Sequence, residues 1–146
     1  MPTIRITKLF RFEAAHALKD YDGPCRNIHG HSYELSVTIE GSPVSDPHSP
    51  KKGMVMDFSD LKSIVKKNVI DVFDHALILS SDYPAGEFEK LQGSFSGMLI
   101  VAYQPTTENM LTDFAGRIGN ALPAGIKLYS LKLRETPNSF AEWFAE

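Results

Sequence analysis

The sequence holds one cysteine, Cys25, so no disulfide can form within the chain. That usage suits a reducing compartment. No apolar run approaches the ~20 residues that span a bilayer. The first ten residues, MPTIRITKLF, lack the charged start and long apolar stretch of a secretory leader, and a cytoplasmic protein is expected. There is no excess of basic residues either: 15 Lys and Arg stand against 18 Asp and Glu, for a net charge of −3. That balance argues against a nucleic-acid partner, although a small anionic substrate needs only local basic groups. Repeats, low-complexity blocks and long linkers are also missing, so residues 1–146 are read as one domain.

What is present is period. Ile4, Ile6, Phe10, Phe12, Ala14 and His16 fall at even spacing, and His29, His31, Tyr33, Leu35, Val37 and Ile39 occupy the odd positions of a second run. Strict alternation predicts two long strands. GSPVSDPHSPKKG, residues 41–53, reads as a surface loop. Phe58, Leu61, Val65, Val69 and Val72 then follow helical spacing, with Ser59 as the expected N-cap. SSDYPAGEFEKLQGS reads as a loop, and GMLIVAY as a short strand or connector. Thr106 or Thr107 can cap a second helix with the stripe Met110, Phe114, Ile118 and Leu122. KLYSLKLRE alternates again, and the turn pair Pro137-Asn138 lets SFAEWF fold back on it. Two strands, two helices and two strands imply an α+β layer, with the helices covering one face of an antiparallel sheet.

Three histidines extend the apolar faces of these strands. His29 and His31, at i and i+2, point the same way about 7 Å apart along the chain. If the two long strands pair, His16 comes beside them. Three neutral imidazoles with an open fourth position make a catalytic zinc site, whereas a structural site would want a fourth protein ligand. Any one of these histidines alone would read as an ordinary hydrogen-bonded core residue. Three on core faces, each needing a polar partner, point to a metal.

Other groups carry chemistry less specifically. Cys25 lies just before His29 and beside Arg26; a free thiol ionises near pH ~8.5 unless a cation or base assists it. Asp74-His75 could be an oriented acid/base pair, or simply the end of the first helix. Glu135 continues the apolar face of Leu131 and Leu133, where a carboxylate wants an arginine or a ligand with paired N–H donors. Its alternative is a place past the strand end in solvent. Glu108 stands in the first turn of the second helix, where the dipole favours acids.

The segments FEAAHAL, CRNIHGHSYELSVTIEG, GMVMDFSDLK, DHALIL, PTTEN and LRETPNSFAEW, in that order, resemble the 6-pyruvoyl-tetrahydropterin synthase / 6-carboxy-tetrahydropterin synthase family. The resemblance implies a tunnelling fold, with a four-stranded antiparallel sheet and two helices per subunit. Two trimeric barrels stack in it as a homohexamer with active sites between subunits. It implies that His16, His29 and His31 bind Zn2+. Cys25 would be the proton-abstracting thiolate, and Asp74 and His75 the second acid/base pair. Thr107, Glu108 and Glu135 would hold the pterin. The four-residue step from Cys25 to His29 and the ETPNSFAEW ending are similar to the 6-carboxy-5,6,7,8-tetrahydropterin synthase subgroup of queuosine biosynthesis. The implied reaction is lyase chemistry on 7,8-dihydroneopterin triphosphate. A pyruvoyl-type reaction on the same substrate and a non-catalytic zinc-binding module are the alternatives.

Overall fold

The computed structural model describes residues 1–146. Both long alternating runs are strands, β1 (Ile4–His16) and β2 (His29–Gly41). They pair antiparallel along their whole length, from Ile4 opposite Gly41 to His16 opposite His29. Phe10, Phe12, Ala14 and His16 therefore meet Leu35, Tyr33, His31 and His29 on one buried face. The other face carries polar cross-strand pairs: Arg5 with Glu40 at 3.1 Å, Thr7 with Thr38 at 2.7 Å and Arg11 with Glu34 at 3.3 Å. Such exposed pairs are each worth at most about 1 kcal/mol. The apolar alternation therefore dominates the register, because a one-residue slip would turn every core side chain outward.

The sheet has six strands in the order β4-β3-β1-β2-β5-β6, not the four expected. It is also mixed rather than antiparallel. β3 (Ala76–Ser80) runs parallel to β1, and β4 (Met98–Val101) runs parallel to β3. β5 (Lys127–Thr136) pairs antiparallel with β2, and β6 (Ser139–Phe144) returns on β5 across the Pro137-Asn138 turn. β3 has no visible period because four of its five residues are buried. A short buried parallel strand reads as a continuous apolar run; Asp74-His75 closes the preceding helical stretch, with Asp74 as its C-cap, and leads straight into β3.

The first helical stretch comprises α1 (Phe58–Val65), a wide π turn over Lys66–Ile70, and α2 (Asp71–Phe73). Its N-cap is Asp57, not Ser59: the carboxylate accepts from the Ser59 N–H at 2.8 Å. Leu61, Val65, Val69 and Phe73 recur every four residues, and all are fully buried. A 3.6-residue turn would let that stripe drift round the helix, and the wider turn in the middle offsets the drift. α3 (Ala85–Gln92) lies where a loop was expected; it buries no residue, so it has no apolar stripe to read. α4 (Thr107–Gly119) is capped by Thr106, whose side chain accepts from the Asn109 N–H at 3.2 Å.

α1, α2 and α4 cover the apolar face of the sheet. Phe114 of α4 meets Phe73 edge-on at 4.8 Å between ring centroids and Phe12 of β1 at 6.1 Å. These rings close the core directly beneath the histidine end of β1 and β2. No helix is long and apolar enough to cross a membrane. Replacing the fully buried Phe114 with alanine is expected to cost about 3–5 kcal/mol, read from urea unfolding at constant slope. A loss below about 1 kcal/mol would contradict the packing described.

Candidate metal centre and adjoining clefts

The β1–β2 register sets the site. His16 lies directly opposite His29, and His31 follows on the same face of β2. One nitrogen from each of these three rings lies within 4.8 Å of the other two. His16 is 2% exposed, and its Nδ1 contacts the Pro105 carbonyl at 2.7 Å. His29 Nδ1 contacts the Asn27 carbonyl at the same distance. A carbonyl oxygen only accepts, so both Nδ1 atoms carry the proton and both Nε2 atoms present lone pairs. Those two Nε2 atoms face each other at 3.0 Å.

Two bare lone pairs at that separation repel, and a cation between them removes the conflict. Nitrogens sharing one tetrahedral zinc sit about 3.3 Å apart, close to the observed spacing. The third ring adds an orphan: His31 Nε2 is buried without a hydrogen-bond partner. Glu135 Oε1 is 3.3 Å from it but not aligned as a hydrogen bond. The donor set therefore fits a divalent metal, and each carbonyl-held imidazole has the outer partner that metal-binding histidines use. Burial pushes His16 below the usual imidazole value against the Pro105 contact. Burial also lowers His31, opposed by the Glu135 carboxylate.

Glu135 is brought into the site rather than lying beyond the strand. β5 is irregular between Arg134 and Thr136, and one carboxylate oxygen of Glu135 accepts from the Thr107 hydroxyl while the other faces His31. Thr107 is buried at the start of α4, whereas Glu108 next to it is exposed. Tyr33 is a member that sequence reasoning left in the core without a role. It stacks on Phe12 at 4.9 Å, meets the His31 ring at 5.5 Å and leaves its buried hydroxyl unpartnered. Burial raises the phenol, which stays protonated. Its odd-numbered position beside His31 was the only available signal.

Asp74 and His75 form a real pair, with His75 Nδ1 3.0 Å from Asp74 Oδ1. The same carboxylate oxygen accepts from the Glu13 N–H at 2.9 Å, and that bond, with His75 second, holds Asp74 below the ordinary carboxylate range. The His75 N–H donates to the Glu13 carbonyl at 2.5 Å. His75 adopts φ of 62°, a left-handed conformation that costs a non-glycine residue on the order of 1 kcal/mol or more. β1 thus pins both ends of the pair while the imidazole stands 79% exposed. It borders a cleft of about 790 Å³ that also includes His31, Leu77, Leu91 and Phe95. A second cleft of about 800 Å³ is bordered by His31, Tyr33, Glu135, Arg11 and Arg134.

Cys25 is half-buried on a single helical turn, Pro24–Arg26, between β1 and β2. It is outside the histidine cluster and borders neither cleft. One chain therefore assembles the three histidines with Thr107 and Glu135, and separately Asp74 with His75, and Cys25 is a member of neither group.

Comparison with known proteins gives a consistent result. The family profile described as 6-pyruvoyl tetrahydropterin synthase matches residues 5–146. A 6-carboxy-5,6,7,8-tetrahydropterin synthase of Haemophilus influenzae is 38% identical over 144 residues, covering 95% of this chain and 97% of its own. The protein of that name from Rickettsia felis is 34% identical over 143 residues, covering 95% and 99%. Among solved structures, an uncharacterized protein of Wolinella succinogenes superposes with a TM-score of 0.80 at 23% identity over 100% of both chains. The 6-pyruvoyl tetrahydropterin synthase of Caenorhabditis elegans gives 0.69 at 25% identity, over 100% of this chain and 98% of its own.

The lowered imidazoles predict a pH dependence for the metal-free protein. Unfolded, His16 and His31 take up protons near the ordinary value of 6.5; folded, they do so only at lower pH. The unfolded chain then binds more protons, so stability is present above that value and declines as pH falls below it. Thermal melts of metal-free protein across that window should show a falling midpoint on acidification. A flat profile, or one rising toward acid, would contradict neutral buried imidazoles.

Proposed function

The chain belongs to the 6-pyruvoyl tetrahydropterin synthase family, and from that premise we propose that it converts 7,8-dihydroneopterin triphosphate and one water to 6-carboxy-5,6,7,8-tetrahydropterin with release of triphosphate and acetaldehyde. It would be a zinc-dependent carbon–oxygen and carbon–carbon lyase serving queuosine-type 7-deazapurine synthesis. The observation that carries the reading is the meeting of three imidazole nitrogens beside the Glu135 carboxylate. The carboxy product follows the names of the Haemophilus and Rickettsia relatives.

His16, His29 and His31 would hold the metal, which supplies Lewis acidity to oxygens of the substrate side chain. Glu135 accepts from the pterin N–H groups and fixes the ring, with Thr107 orienting that carboxylate and Glu108 at the rim of the same subsite. Holding the reacting carbons in one place is itself a large share of such catalysis. The Cys25 thiolate removes the side-chain proton. His75, oriented by Asp74, moves protons during tautomerisation and cleavage. In this reading Cys25 of one subunit faces Asp74–His75 of another across a subunit boundary. The exposed Leu9, Phe140 and Phe144 on the uncovered sheet face and the β5–β6 edge support a homo-oligomer, taken as a dimer of trimers. A lone free cysteine suits a cytoplasmic location.

The rival with specific support is the pyruvoyl-type reaction on the same substrate, which the Caenorhabditis neighbour's name suggests. Zinc-loaded protein incubated with 7,8-dihydroneopterin triphosphate should give the 6-carboxy product and acetaldehyde by mass spectrometry. A pyruvoyl product would move the chain to that reaction, and unchanged substrate would favour a non-catalytic metal-binding module. Cys25→Ala should lower turnover by about 100-fold or more with zinc stoichiometry retained. Full activity in that variant would overturn the thiolate assignment.

A further inference from the structure

Gln104 directly precedes the Pro105 carbonyl that holds His16. Its side-chain amide makes two opposed hydrogen bonds to one residue: the Lys19 N–H donates to Gln104 Oε1 at 3.1 Å, and Gln104 Nε2 donates to the Lys19 carbonyl at 2.8 Å. Lys19 lies in the connection after β1, where no strand partner is available, and the amide satisfies its main chain as a strand would. On its other side, the Gln104 carbonyl accepts from the Thr106 N–H at 2.7 Å and from Asn109 Nδ2 at 3.0 Å. One residue thus ties the loop after β1 to the start of α4.

Three site groups depend on the two segments so joined. The Pro105 carbonyl fixes the His16 ring at 2.7 Å. Thr107, in the first turn of α4, meets Glu135. On the loop side, the Leu18 N–H donates to the Cys25 carbonyl at 2.9 Å, so the residue next to Lys19 anchors the cysteine turn. A side chain two bonds away from ligand geometry matters because partners outside the first ligands hold ring orientation.

We infer that Gln104 is a positioning residue whose amide latches the Cys25 loop to the segment orienting His16. The thiol and the histidine cluster thereby keep a fixed relation. The catalytic consequence rests on the function proposed above, whereas the latch itself does not.

Gln104→Leu keeps bulk and loses both bonds. Gln104→Glu keeps the shape and the acceptor for the Lys19 N–H, but sets an oxygen against the Lys19 carbonyl. In metal-free protein, iodoacetamide should alkylate Cys25 about fivefold or more faster in both variants at one pH, with cooperative melting preserved, on the scale of outer-partner effects. In zinc-loaded protein, kcat should fall about tenfold while KM stays within about twofold, because Glu135 stands on β5 and Gln104 hydrogen-bonds to neither it nor Thr107. Alkylation and kcat both unchanged would overturn the latch, and so would a loss confined to KM. If the leucine variant does not fold, the glutamate variant decides. If the parent protein turns over no pterin, the function proposal fails and the alkylation rates alone still decide the latch.

Discussion

The antiparallel register of β1 and β2 is the constraint on which the site depends. His16 faces His29 because Ile6 faces Ile39 and Phe12 faces Tyr33 along the same ladder. Moving the pairing by one residue would turn His29 and His31 to the open face, beside Arg11 and Glu13 of β1, and turn Ser32 and Glu34 into the core. The burial that stabilises the sheet therefore also gathers the imidazoles, and the carbonyls of Pro105 and Asn27 then fix two of the rings. Phe12, Phe73 and Phe114 pack directly under this end of the ladder, which ties the rigidity of the site to the core.

Electrostatics then decide what the cluster is for. Backbone carbonyls of Pro105 and Asn27 take the Nδ1 protons of two rings, and burial keeps His16 and His31 neutral. Neutral rings with converging lone pairs make a poor packing unit and a good ligand set. The same surroundings place Glu135 beside the cluster with its second oxygen held by Thr107. A carboxylate so placed can accept N–H groups of a ring while its neighbours face that ring's substituents. The uncovered face, by contrast, is polar and paired, with apolar residues exposed toward its edge.

Much of this was legible in the residues. Strict alternation located β1 and β2, and the same parity placed His16, His29, His31 and Glu135 on the core face. Helical spacing located the stripes around Leu61 and Phe114. Three things were not legible. β3 is too short and too fully buried to display a period, so the sheet looked smaller than it is, and the strand that follows the helix end at Asp74-His75 left no signal. α3 buries nothing and has no stripe. The ring tautomers depend on carbonyls of Asn27 and Pro105, and a carbonyl leaves no mark in a sequence.

Three imidazoles, and no thiolate, are the ligands proposed for a bound metal. X-ray absorption of the zinc-loaded protein tests this most directly. The expected first shell is nitrogen and oxygen at about 2.0–2.1 Å, with imidazole scattering from three rings and no sulfur. A sulfur scatterer at about 2.3 Å would place Cys25 on the metal and contradict both the ligand set and the free thiolate.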